Sequence, residues 1–453
     1  MASDIGRASR PRAVTIPIHR AVPRLARNPL RAFQDIGARH GGAIVRLNLG
    51  FLRPYLLTDP AHVQHVLRDH ADVYLREGTL WKQLGRLEGD GLAGEGASWA
   101  PRRKLIQPLM ATRHVTSLVE RMAEAVAEVV DGWEPAVDTG QPIDATLEMT
   151  RITQRVLIRT FFGNLIPTAD GDRLGAAIAT AFTSLNARLL LPFVPAAVPL
   201  PGDRAFRRSV RVVDEVMFPL VRRGRAGAGA GGDLVSLLCR ARDADGHGLD
   251  DQQVRDDFVA MFVAGTETSA TALTWLWVVL DQYPKVAARV YDEIDEVVGG
   301  RRPDAAMLSK LRYTRMVMQE VLRLYPVGWF LPRTAAAADV IDGVPIAAGS
   351  TVFLSPYLTH RLTAHWPRPL DFDPSRFSPE QADGRHRYAY FPFGGGPHMC
   401  LGSHLFNVET QLVAATVLSR YRPRPRGGAP VQPQAAAALR PRGRVLVTFR
   451  RRD

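Results

Sequence analysis

Cysteine is nearly absent: the 453-residue chain holds two, Cys239 and Cys400, and no CxxC pair. That excludes a disulfide framework and fits a reducing, cytoplasmic setting. It also counts against structural zinc built from closely spaced cysteines, and the twelve histidines are scattered. Lysine is as scarce, with Lys82, Lys104, Lys285 and Lys310 the only four among 58 basic residues. The net charge of +13 is therefore carried by arginines spread through an alanine-rich chain. Such a spread does not read as a nucleic-acid footprint, and an acidic protein partner suits it better. Long apolar runs are few. The first twenty residues contain none that could serve as a signal peptide or membrane anchor. Residues 189–201 are apolar but broken by four prolines. Only the stretch from Phe258 to Leu280 is long enough to span a bilayer, and it carries Glu267 and several threonines between flanking Asp256, Asp257 and Asp281. A helix apolar all round, with nothing else membrane-like, belongs at the centre of a large protein.

Hydrophobic content of 46% and charged content of 23% are those of a soluble globular enzyme. Helical spacing dominates, clearest in "ATRHVTSLVERMAEAVAEVVDGW" and "PKVAARVYDEIDEVVGG". Strand patterns cluster near residues 43–58 and again near 339–355, each reading as a hairpin, the second turning at Asp342-Gly343. The low-complexity "RRGRAGAGAGGD" (222–233) reads as a surface loop between helices. The expected fold class is mainly α with small β-sheets at one edge.

The two cysteines have different surroundings. Cys239 sits among leucines at helical spacing, where a small buried thiol is ordinary. Cys400 closes "FPFGGGPHMCLG", behind three glycines that let the backbone turn sharply and approach a bulky group. A long helical pattern follows it, and backbone N–H groups at a helix start favour thiolate over thiol. The loop is built to present one anionic sulfur to something large.

From Phe393 to Gly402 the loop fits F-G-x-G-x-[HR]-x-C-x-G, and here the chain resembles the haem-thiolate monooxygenases, the cytochrome P450 family. Ala264-Gly265-Thr266-Glu267-Thr268-Ser269 matches the family's A-G-x-[DE]-T-[TS]. Hydroxyls and a glycine inside a helix can loosen its hydrogen-bond ladder, so a kink opening a small polar pocket is expected there. Glu320 and Arg323 share one helix face at i and i+3, and Pro326 ends that helix. "FDPSRF" (372–377) resembles the family's F-x-P-E-R-F with Ser375 in place of Glu, so Arg376 would complete a buried Glu-Arg-Arg network holding the loop before Cys400. Trp99 and Arg103 fit W-x-x-x-R, one turn apart on one face. Arg103 is expected inward, and Arg102 and Lys104 outward.

The resemblance implies a cytochrome P450 fold, a single triangular-prism-like domain over residues 41–453 behind a partly flexible segment 1–40. It implies haem b (iron protoporphyrin IX) with Cys400 as axial iron ligand, and Phe393, His398, Gly402, Trp99, Arg103 and Arg333 around the cofactor. Thr268 and Glu267 would handle protons, and O2 would be co-substrate. Electrons from NAD(P)H would arrive through a separate ferredoxin and ferredoxin reductase, since no flavin or iron–sulfur segment is visible. A cytoplasmic monomer without a membrane anchor is expected. By family position the substrate pocket would include Ala260, Ala264, Val327, Gly328, Trp329 and Phe330, roofed by residues 74–92 and 189–201. Such an apolar lining suits a compact hydrocarbon. The same motifs resemble those of bacterial terpene hydroxylases, which makes a terpenoid of secondary metabolism the expected substrate for hydroxylation of an unactivated C–H bond. Fatty acids, macrolides and steroids are the competing substrates, and a non-catalytic haem gas-binding protein is the competing class.

Overall fold

The computed structural model describes residues 13–452 except 51, 90, 93, 97–98, 186, 189–193, 196, 228–232, 244 and 426–430. Its contacts group into two compact units, one from residues 1–76, 328–372 and 382–400, the other from 77–327, 373–381 and 401–453.

The first unit is organised on a six-stranded sheet, in the order Val14–Ile16, Val45–Leu47, Tyr55–Leu57, Thr351–Leu354, Leu331–Ala335, Tyr74–Leu75. The expected hairpin near 43–58 is present, with Val45 opposite Leu56. The second differs from expectation in its extent. Asp339–Ile341 pairs with Val344–Ile346 across Asp342 (φ 47°) and Gly343 (φ 75°), the two left-handed residues that a tight hairpin turn demands. The chain then turns at Gly349 (φ 77°), and Thr351–Leu354 leaves the hairpin to pair parallel with Tyr55–Leu57. Burial explains the change of partner: Val352, Leu354 and Leu57 are all fully enclosed in the sheet core. Between the strands Val14–Ile16 and Val45–Leu47 lie helices Ile18–Arg27 and Pro29–His40; Asn28 caps the second by accepting Arg31 N–H at 3.0 Å.

The second unit is helical around one element, Asp251–Gln282. Asp250 and Gln253 start it with a reciprocal capping box. Residues 254–260 and 269–280 are buried without interruption; the second run is buried by its all-round apolarity, whereas the first also encloses Arg255, Asp256 and Asp257. Trp275 and Trp277 are fully enclosed; each large side chain so buried contributes roughly 1.5–3 kcal/mol. Trp275 stacks on Tyr325 at 3.9 Å and donates its Nε1–H to Leu439 O at 2.9 Å. That bond ties the helix to the hairpin Pro433–Ala435/Leu439–Pro441. Among the described residues no helix is long and apolar enough to cross a membrane.

Candidate active site

In the first unit, the glycines of the Phe391–Cys400 loop answer to backbone shape and to space. Gly394 and Gly396 adopt φ of 70° and 65°. A Cβ on Gly395 would lie 2.4 Å from the Tyr388 ring, and one on Gly396 only 1.6 Å from the Leu67 carbonyl oxygen. Backbone bonds close the turn: Gly394 N–H donates to Phe391 O, Met399 N–H to Gly396 O, and Cys400 N–H to Phe393 O at 2.9 Å. Beneath it, fully buried His360 accepts Phe391 N–H through Nε2 at 2.9 Å, an arrangement that leaves the ring proton on Nδ1. The outcome is an exposed Cys400 beside half-buried Phe393 and His398. Cys239, in the second unit, is 2% exposed, and burial pushes its thiol pKa up. Of the two thiols, Cys400 is the exposed one. Arg333 is buried on its strand in the first unit, with Nη1 donating to Pro332 O at 2.8 Å.

In the second unit, the buried run of the central helix is interrupted where the motif falls. Ala264 is exposed, and Met261, Val263 and 265–268 are half-buried. Thr268 Oγ1 donates to Ala264 O at 2.6 Å and Thr266 Oγ1 to Phe262 O at 2.8 Å. The helix is continuous through these positions, since a carbonyl has two lone pairs and can accept the hydroxyl beside its amide partner. Gly265 has another use: a Cβ would approach Leu157 to 3.0 Å, so its absence lets helix Ala145–Phe162 pack closely.

Glu267 points into a cavity of about 400 Å³ within this unit, with Thr150, Thr271, Thr274, Gln434 and Arg440 in its wall. Burial raises its carboxyl pKa, and Arg440 partly offsets that. An acid whose burial favours the protonated form, lining a cavity, is placed to hold a proton there. On helix Ser403–Leu418, Glu409 is 1% exposed, its Oε1 has no hydrogen-bond partner among the described residues, and burial pushes its pKa up to about 8, against a bond from Ser269. The folded state thus keeps a proton that the unfolded chain releases above its ordinary 4.5. Stability from this group is full below that value and is lost as pH rises through about 8, at up to about 1.4 kcal/mol per pH unit. Glu409→Gln should therefore flatten the melting-temperature profile between about pH 4.5 and 8, with the largest gain at and above the upper end. A profile parallel to that of the parent would contradict this assignment.

Glu320 and Arg323 are both fully enclosed and joined bidentately, Nε to Oε2 at 2.6 Å and Nη2 to Oε1 at 2.8 Å. Glu320 Oε1 also accepts Asp373 N–H at 2.8 Å and faces Arg376 Nε at 3.5 Å. Burial raises the Glu320 pKa even against these cations. The network thus anchors the turn Pro374–Phe377 to helix Arg312–Leu324. Ser375, in place of the family's usual acid, donates its hydroxyl to Asp373 at 2.6 Å.

On helix Trp99–Ile106 the expected orientation is corrected. Arg102 is the buried residue, 3.4 Å from Asp257 on the central helix, while Lys104 is exposed. Asp257 sets this phase: it is fully enclosed, pushed up to about 7 by burial despite Arg102, and also accepts Leu92 N–H at 3.1 Å. A buried acid needs a cation, so Arg102 turns in. Arg103 is half-buried and lies over the Trp99 ring at 5.7 Å.

Of the expected pocket residues, Ala264 is open, whereas Ala260 and Val327 are buried within the second unit. In the first unit Trp329 and Phe330 form an aromatic cluster with Phe353 and with Phe33 of helix Pro29–His40. Phe33 was invisible to motif reasoning; its only sequence signal is an apolar position on an amphipathic helix. Much of the expected roof, 189–193 and 196, lies outside the described residues.

A family model for Cytochrome P450 matches residues 11–449. Among curated relatives, cyclooctat-9-en-7-ol 5-monooxygenase of Streptomyces melanosporofaciens is 32% identical over 91% of this chain and 88% of its own length. Pentalenene oxygenase of Streptomyces avermitilis is 28% identical over 94% and 93% of the two chains. The solved haem domain of cytochrome P450DA has the same fold, with a TM-score of 0.89 over 98% of each chain at 23% identity. The chain belongs to the cytochrome P450 family and is an oxidoreductase of the monooxygenase type. The loop suits haem: Cys400 offers a soft sulfur donor at an exposed position behind a turn that only glycine's backbone and size allow.

Proposed function

We propose that this protein hydroxylates an unactivated C–H bond of a compact terpenoid skeleton, using haem b held by the Cys400 thiolate. The balance is R–H plus O2, two electrons and two protons to R–OH plus water. Bound haem supplies the oxygen chemistry, with thiolate donation favouring O–O cleavage. The chain supplies the rest. Trp99, Arg103, Arg333 and His398 are the groups proposed for the haem propionates, with Phe393 and Gly402 beside the sulfur. Thr268 Oγ1 holds a proton or water on the open turn of the central helix, and Glu267 exchanges protons with its polar cavity. NAD(P)H electrons enter through a ferredoxin and its reductase, for which the +13 charge favours acidic docking. The observation carrying the reading is the accessible Cys400 on its fixed loop. The apolar Ala264 and the aromatic Trp329 and Phe330, with the terpene-oxidising names of the relatives, support the substrate class.

Spectral titration of the ferric protein tests that class. Di- or sesquiterpene hydrocarbons or alcohols should displace the iron-bound water and give a high-spin shift, whereas a fatty acid, macrolide or steroid should give a weaker one. A shift with the fatty acid or macrolide and none with terpenes would overturn the substrate assignment. For Thr268→Ala, haem and substrate binding should persist while product per NAD(P)H falls about tenfold and hydrogen peroxide accumulates. That loss is a modest share of the roughly 10²–10⁴-fold that a positioned proton donor contributes. An unchanged coupling ratio would remove Thr268 from the proton path.

A further inference from the structure

Helix Pro60–Gln64 continues as one π-turn, His65–Asp69, closed by His70 N–H to His65 O at 2.8 Å. Single π-turns are rare and concentrate at functional sites. Here the extra residue brings positions five apart into line, so the His65 and His70 rings stack at 4.0 Å and 17°. In a regular α-helix they would diverge by about 140°.

A third group meets them from far along the chain. Asp339, on the hairpin strand, lies 2.6 Å from His65 Nε2 through Oδ2 and 3.7 Å from His70 Nδ1 through Oδ1. One donor atom from each of the three falls within 4.8 Å of the others. The carboxylate is itself oriented: Tyr74 O–H donates to Oδ2 at 2.8 Å and Val340 N–H to Oδ1 at 2.7 Å. Burial would raise the Asp339 pKa, but these bonds and His65 outweigh it and keep the carboxyl below its usual range. The cluster opens to solvent, the side chains of His65, His70 and Asp339 being 23%, 43% and 12% exposed.

We propose that His65, His70 and Asp339 form a binding site for a zinc-class divalent transition ion, separate from the haem ligand and with Tyr74 as positioning residue. Two imidazoles and one carboxylate suit Zn²⁺, Co²⁺ or Ni²⁺ far better than Mg²⁺ or Ca²⁺, and three protein ligands leave a position for water. Bonds of about 2.0–2.1 Å in a tetrahedral site put donor atoms about 3.3 Å apart. The present separations bracket that value. Occupancy requires His70, the most exposed of the three, to turn out of the stack, because parallel rings cannot both aim lone pairs at one ion. A bound ion would clamp the 339–346 hairpin to the π-turn. The same π-turn carries Leu67, whose carbonyl oxygen limits position 396 to glycine in the Cys400 loop. The site is thereby linked, inside one unit, to the backbone of the thiolate loop.

The test is calorimetric titration of tag-free, chelator-treated, haem-loaded protein with zinc sulfate. One saturable site is expected, together with a rise in melting temperature. His70→Ala and Asp339→Asn should each abolish it, and Tyr74→Phe should weaken it about tenfold, as loss of an orienting partner does. His247→Ala, in the exposed Asp243–Asp245–His247 group, should leave it unchanged. Absence of saturable binding, or binding that survives His70→Ala and Asp339→Asn, would overturn the proposal. Loss of the site in His247→Ala alone would do the same.

Discussion

Cys400→Ser should remove the red-shifted Soret band of the reduced carbon monoxide complex and take turnover to background. The loop itself gives no reason to unfold: Ser and Cys are close in size, the side chain is exposed, and the backbone bond from Cys400 N–H to Phe393 O is unaffected. What changes is the donor. A serine oxygen is a poor ligand to ferric haem at neutral pH and lacks the electron release that favours O–O cleavage. Cys239→Ser is the matched control, since that thiol is buried and kept protonated, and it should leave the spectrum as it was. A red-shifted band surviving in Cys400→Ser would refute the ligand assignment.

Glu320→Ala should yield little or no haem-loaded protein. The carboxylate is the shared acceptor for Arg323, Asp373 N–H and the nearby Arg376, all in its enclosed setting. Its removal leaves the Arg323 guanidinium buried, 0% exposed, without its counter-charge. Breaking such a pair costs roughly 3–5 kcal/mol, a large part of the roughly 5–15 kcal/mol that holds a domain together. The expected readout is a low ratio of haem absorbance to protein absorbance after purification. Normal haem content would show that the network is dispensable.

The parts legible in the sequence were those encoded locally. The three-residue spacing of Glu320 and Arg323, the glycines before Cys400 and the Asp342-Gly343 turn each announce a geometry within a few residues. The features missed depend on distant partners. Whether Arg102 or Arg103 turns inward is decided by Asp257, about 150 residues away along the chain, so helix periodicity could not settle it. The motif threonines back-bond to helix carbonyls, as their type suggested, but the use of Gly265 is set by Leu157 about a hundred residues earlier, which no local pattern announces. His65 and His70 are unremarkable at a spacing of five. Only the π-turn aligns them, and only the fold delivers Asp339. The strand 351–354 was read into the wrong pairing because its alternation suits any sheet, and the larger sheet buries it better.

The central claim is that the chain, loaded with haem, transfers one atom of dioxygen to an organic substrate. Turnover under ¹⁸O₂ with ferredoxin, its reductase, NAD(P)H and the terpene giving the largest spin shift tests it directly. The account predicts one ¹⁸O atom in each new hydroxyl and none from labelled water. Oxygen derived from water, or no oxidised product from a protein that still loads haem and binds carbon monoxide, would contradict it.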